Sequence, residues 1–88
     1  MDERSLVKGG LTQAELGDFQ KADTYFNQAF KWDPNLGQIY ALYGARLQLE
    51  GRNQEAINSY HRSNELSGNP IASGGLKQIE ESMKQRLH

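Results

Sequence analysis

The sequence predicts an all-α fold of repeated helix–turn–helix units, and three observations predict it. First, Phe19, Ala22, Phe26 and Ala29 step by three, four and three residues between the turn signal Gly17-Asp18 and the stop signal Pro34. That spacing sets all four on one helix face. Small and large residues alternate along it, so Ala22 and Ala29 let another helix come close while Phe19 and Phe26 fill its grooves. Second, the frame returns 34 residues later, with Gly17 as Gly51, Ala22 as Ala56, Phe26 as Tyr60, Ala29 as Ser63 and Trp32 as Leu66. Third, the glycine ahead of it repeats as well, Gly10 returning as Gly44. An internal repeat of this period marks a stacked helical array, an α-α superhelix.

The elements follow in order. Residues 3 to 16 read as the first helix, with Leu6, Gly10 and Gln13 along one face and Val7, Leu11 and Ala14 on a second apolar stripe. Gly9 and Gly10 each cost about 1 kcal/mol relative to alanine in a helix interior. The first helix therefore either frays or uses its glycines for a close helix–helix approach. Residues 18 to 32 form the second helix, with Tyr25 and Trp32 extending its apolar surface sideways, and Asp33-Pro34-Asn35 ends it. The third helix, 37 to 50, carries Tyr40, Tyr43, Gly44 and Leu47 on one stripe and Ala41, Leu42, Ala45 and Leu49 on another. A helix apolar on two faces is covered on both. Gly51-Arg52-Asn53 is the next turn, and Ala56, Ile57, Tyr60 and Leu66 mark a fourth helix over 53 to 66. Asn69 is a good N-cap and Pro70 suits a first helical position, so a fifth helix is expected over 70 to 86. Pro70 follows Pro34 by 36 residues rather than 34, so the register slips there. Leu76, Ile79, Met83 and Leu87 line one side of this helix; the other is charged and holds the pair Glu80–Lys84. One greasy and one charged face describe a capping helix. Residues 1–88 thus read as a single domain, with one repeat over 3–36, a second over 37–69 and a cap over 70–86.

Composition narrows the function classes. Ten Lys plus Arg against eleven Asp plus Glu leave a net charge of -1, scattered along the chain. With no basic stripe to neutralise a phosphate backbone, nucleic acid is not expected as a partner. No apolar run approaches the roughly 20 residues of a membrane span, so no membrane is expected either. The start, Met1-Asp2-Glu3-Arg4, is acidic where a secretory signal would be basic and then apolar. A cytoplasmic protein fits, and a piece cut from a longer exported chain would read the same. Without cysteine there is no disulfide framework, thiolate metal site or thiol nucleophile.

The motifs also resemble a known family, the tetratricopeptide repeat, a helix–turn–helix unit of this length. The second unit carries the resemblance best, in Tyr40, Tyr43-Gly44, Leu47, Gly51, Ala56 and Tyr60; the first carries it mainly from Gly17 to Pro34. The resemblance implies a glycine at Gly10 and Gly44 for helix packing, whereas Gly9 stands where the family prefers a large apolar residue. It implies a non-catalytic scaffold, not an enzyme, whose first helices line a concave groove for a peptide or partner helix. One subset clamps the carboxyl-terminal tail of chaperones with lysine, asparagine and arginine. Those clamp positions fall here on Val7, Leu11, Leu42, Ala72 and Leu76, all apolar. A carboxylate leaving water needs charge-assisted donors, so an apolar ligand surface is expected instead.

Chemistry finds no other foothold. His61 and Glu65 share a helix face at i,i+4 but have no third ligand or nucleophile at helical spacing, so they read as a solvated surface. Lys8-Gly9-Gly10 lacks the strand and the Lys-Ser/Thr end of a phosphate loop. Tyr25, Trp32, Tyr40, Tyr43 and Tyr60 fall on packing positions and read as core rather than as a base-stacking platform. No catalytic residue, metal ligand or cofactor is expected. What remains is an apolar groove of Val7, Leu11, Ala41, Leu42, Ala45, Leu49, Leu76 and Ile79. It predicts a scaffold that binds a protein or peptide with an apolar face. Two alternatives stand beside it: a homodimer or larger homo-oligomer that buries the groove against its own copy, and a small accessory subunit docked on a larger assembly.

Overall fold

The computed structural model describes residues 3–68 and 70–86, with side chains described between residues 8 and 85. Five helices occupy them: α1 (Glu3–Glu15), α2 (Phe19–Trp32), α3 (Gly37–Glu50), α4 (Asn53–Leu66) and α5 (Pro70–Arg86). Every boundary lies within one residue of the one read from the turn and stop signals. The predicted cap Asn69 and the predicted apolar positions Leu6, Val7 and Leu87 lie outside the described residues or side chains.

The two turns inside the hairpins show the repeat at the level of the backbone. At the end of α1, the Gly17 N–H donates to the Ala14 carbonyl at 3.0 Å and the Asp18 N–H to the Gln13 carbonyl at 2.9 Å. At the end of α3, Gly51 donates to Gln48 and Arg52 to Leu47, both at 3.0 Å. This is the same pair of bonds, 34 residues on. Both glycines sit in the left-handed region, at φ 88° and 87°, where a Cβ would be strained. Past the first turn, the Asp18 carboxylate accepts from the Lys21 N–H at 3.1 Å and caps α2. Beyond α2, the Asn35 N–H donates to Asp33 Oδ1 at 3.1 Å in a side-chain turn that precedes α3.

The hairpin α1–α2 packs beside the hairpin α3–α4, with α1 and α5 both against α3. The first helices α1 and α3 thus share a layer with α5. Phe26, Ala29 and Ile39 form one buried cluster; Ala41, Leu47, Ala56, Tyr60, Ala72 and Ile79 form the other, and Tyr43 packs against both. Ala22 is buried with Phe26 and Ala29, as the spacing predicts. Trp32 departs from the expectation of core: it is 67% exposed, at the last position of α2 and beyond that helix's last buried residue, Ala29.

The repeated glycines are packing devices. A Cβ on Gly10 would lie 2.9 Å from Phe26 Cε2, and one on Gly44 would lie 2.6 Å from Tyr60 Cε1. Each glycine lets the aromatic ring of its own hairpin's second helix lie against the backbone. Gly9 is different, since its Cβ would meet the Tyr25 ring at 3.9 Å, an ordinary contact. Gly9→Ala is therefore expected to stabilise the fold by about 1 kcal/mol through helix propensity. Gly10→Ala, which also meets the Ala22 carbonyl at 3.3 Å, is expected to destabilise it by about 1–2 kcal/mol through overpacking. Urea unfolding of the two single variants reads both signs.

Between α2 and α3 sits a charge that the periodicity does not reveal. Arg46 is only 2% exposed. Its Nη2 donates to Asp23 Oδ2 at 3.0 Å and its Nη1 to Glu50 Oε1 at 2.9 Å. The Nε–Oδ1 approach to Asp23, 2.7 Å, is an ion contact without hydrogen-bond alignment. The guanidinium also lies 5.1 Å from the centre of the Phe19 ring, which is half-buried. The Arg46 hydrogen bond, assisted by Arg52 and opposed by desolvation, holds the Glu50 carboxyl below the usual carboxylate range.

A concave groove on the first-helix layer

The layer of α1, α3 and α5 encloses a concavity of about 470 Å³. From α1 come Leu11 and Glu15, one turn apart; from α3 come Ala45, Gln48 and Leu49; from α5 come Pro70, Ile71, Gly74, Gly75 and Gln78. Tyr60 of α4 reaches it from behind. Its ring is held between Gly44 on α3 and Gly75 on α5, where any Cβ would come closer than van der Waals contact. Two glycines on different helices thus let one aromatic ring fasten three helices together.

The ring carries a polar chain into the groove. Tyr60 Oη donates to Gln48 Oε1 at 2.8 Å, and Gln48 Nε2 donates to Gln78 Oε1 at 3.1 Å. Burial pushes the Tyr60 hydroxyl up to about 12, so it stays protonated and able to donate at neutral pH. Around this chain the wall is apolar. Leu49 and Ile71 are among the large hydrophobic side chains left exposed, at 52% and 43%. Among the lining residues the single ionised side chain is the Glu15 carboxylate.

Of the residues expected to form the groove, the structure brings Leu11, Ala45 and Leu49 together in it. Ala41 and Ile79 lie elsewhere, buried in the core cluster around Tyr60. Leu76 packs on that cluster, and Leu42 packs on the Phe26–Ala29–Ile39 cluster. Val7 lies outside the described side chains. Ala72, one of the five apolar clamp positions, is fully buried. The sequence reading missed Glu15, Gln48, Ile71, Gly74, Gly75 and Gln78. Adjacent glycines inside a helix were the available signal, since Gly74-Gly75 repeats the Gly9-Gly10 arrangement, read as either fraying or close approach; of the later pair it is Gly75 that meets Tyr60.

A second concavity, about 480 Å³, is lined by Phe30, Pro34, Tyr40, Tyr43, Leu47, Glu55, Asn58, Ser59 and Arg62. Its rings already serve one another, Phe30 lying 4.9 Å from Tyr40 and 5.5 Å from Tyr43 between centroids. Arg62 lies over Tyr40 at 5.9 Å, and Ser59 Oγ donates to the Tyr40 carbonyl at 2.7 Å. Glu65, weighed with His61 as a surface pair, instead meets Arg62 at 3.3 Å. No group of three or more potential metal-ligating side chains occurs among the described residues. No described helix is long and apolar enough to cross a membrane.

Residues 4–36 match the family model of the tetratricopeptide repeat. The match spans α1, α2 and the turn after them, the unit whose first half carries the fewer family positions. No curated protein and no solved structure matches the chain.

Proposed function

Because the chain is a tetratricopeptide-like repeat protein, and such repeats generally mediate protein–protein interaction, we propose that it is a non-catalytic scaffold. Its groove between α1, α3 and α5 receives a peptide or helix from another protein. The observation that carries this reading is the concavity itself, apolar at Leu11, Ala45, Leu49 and Ile71 and built on the helices that line the groove in the family it resembles. Its shape also favours a foreign occupant over a second copy. A two-fold dimer sets one patch against itself, and a concave patch so placed encloses a void that an inserted segment would fill. The homo-oligomer and the accessory subunit remain the alternatives that an experiment separates.

Ala45→Glu is that experiment. Ala45 is partly exposed and begins α3's contribution to the groove, so a glutamate there can reach water. Stability is expected to change by no more than about 1 kcal/mol. Binding of a protein partner, or self-association if that is the use, is expected to fall more than tenfold, because the carboxylate would be buried unpaired. A variant that melts far lower with association unchanged would show that Ala45 is core and that the groove lies elsewhere.

A further inference from the structure

The groove is not uniformly apolar, and its two polar features bear on what fits it. The first is the carboxamide chain. Tyr60 is bonded to Gln48 and Gln48 to Gln78, while Gln78 Nε2 donates to no described residue. In either orientation of the two amides, the exposed end of the chain is a carboxamide with unused donor or acceptor capacity. An α-helix laid over it offers side chains alone in return, since its backbone groups are bonded within the helix. An apolar helix face would then leave the carboxamide buried without a partner. An extended segment has free N–H and C=O groups along its length and can satisfy it.

The second feature is Glu15. It is the only ionised side chain among the lining residues, and no cation pairs with it among the described residues. It also closes α1, and the C-terminal end of a helix dipole adds negative potential there. Both contributions favour a cation on the occupant and disfavour an anion.

Resting on the groove reading above, we propose that the occupant is an extended peptide segment with a lysine or arginine beside a branched aliphatic side chain. The cation meets Glu15, the aliphatic group packs on Leu11, Ala45 and Leu49, and the peptide backbone hydrogen-bonds the Gln78 carboxamide. This selects an extended segment over a helix and a basic one over an acidic one.

The test pans a random twelve-residue phage library on the whole chain and remakes the strongest sequence as a synthetic peptide. The expected consensus pairs Lys or Arg with Leu, Ile or Val. Glu15→Lys is expected to weaken the peptide about fivefold at low salt, on the scale of one exposed ion pair turned to repulsion. Exchanging the peptide's cation for glutamate should restore binding to that variant, which a merely structural role for Glu15 would not do. Gln78→Met should weaken both peptides while leaving the melting temperature within a degree or two. An acidic or uncharged consensus, a helical bound peptide, or indifference to Glu15→Lys overturns the inference. If such a peptide is nevertheless lost with Ala45→Glu, the groove reading survives without it. A library that yields no binder, or binders insensitive to both variants, overturns the two together.

Discussion

Tyr60→Ala is expected to cost about 3–5 kcal/mol, the scale of removing a large aromatic from a closed core. Tyr60 is 1% exposed, and Gly44 and Gly75 both approach its ring more closely than any side chain could. For a chain this small that loss takes most of the available stability. The sharper expectation is a change of sign at Gly44. In the wild type, Gly44→Ala should destabilise, because its Cβ would lie 2.6 Å from the ring. With the ring gone, the same substitution should stabilise by up to about 1 kcal/mol, from helix propensity alone. The double-mutant cycle, followed by urea unfolding of the variants that fold, isolates this coupling. If Gly44→Ala destabilises equally in both backgrounds, the ring is not what the glycine serves. Tyr60→Phe keeps the packing and removes only the bond to Gln48, so about 1 kcal/mol is expected there. Because the neutral phenol is favoured in the fold, the Tyr60 contribution is fully present below about pH 10. It is lost as pH rises toward about 12.

Removing Arg46 and removing its partner Asp23 are expected to have unequal effects. Asp23→Ala leaves a guanidinium that is 2% exposed with Glu50 as its remaining carboxylate partner. Breaking a buried ion pair from one side costs about 3–5 kcal/mol; with Glu50 still in place, about 2–3 kcal/mol is expected. Arg46→Met removes the buried charge and keeps a long side chain against Phe19. The Asp23 carboxylate, 38% exposed, can then turn to water, so about 1 kcal/mol or less is expected. Denaturant unfolding of both variants and of their combination should place the double variant near Arg46→Met alone. Finding Arg46→Met the worse of the two would mean that the ion pair itself stabilises the fold. For Glu50 the sign is set by its depressed ionisation. Its contribution is present above the usual carboxylate range and is lost as pH falls below it.

The helices were legible because each boundary rests on a local signal: Gly17-Asp18, Asp33-Pro34, Gly51 and Pro70. The two ring-bearing faces were legible too, since Phe26 and Tyr60 recur at one spacing. Arg46 was not, because its partner Asp23 lies on another helix and periodicity ranks a residue only against its own helix. Trp32 misled because it was read as a packing position beside the buried face, but it occupies the last position of α2, beyond the last buried residue. In the groove, Leu11, Ala45 and Leu49 followed from the second apolar stripe of the first helices. Ala41 and Ile79 share such stripes and are core, because α5 packs on both α3 and α4. How α5 docks is a matter of tertiary packing on α3 and α4, and no spacing within α5 carries that information. The carboxamides went unread for a similar reason, since Gln48 and Gln78 meet only through tertiary packing.

The proposed binding face is the first-helix groove and not the aromatic concavity lined by Phe30, Tyr40 and Arg62. Amide chemical shifts recorded with and without the strongest peptide from the random library test this most directly. The largest changes are expected on Leu11, Glu15, Ala45, Leu49 and Gln78. Changes concentrated instead on Phe30, Tyr40, Asn58 and Arg62 would contradict it.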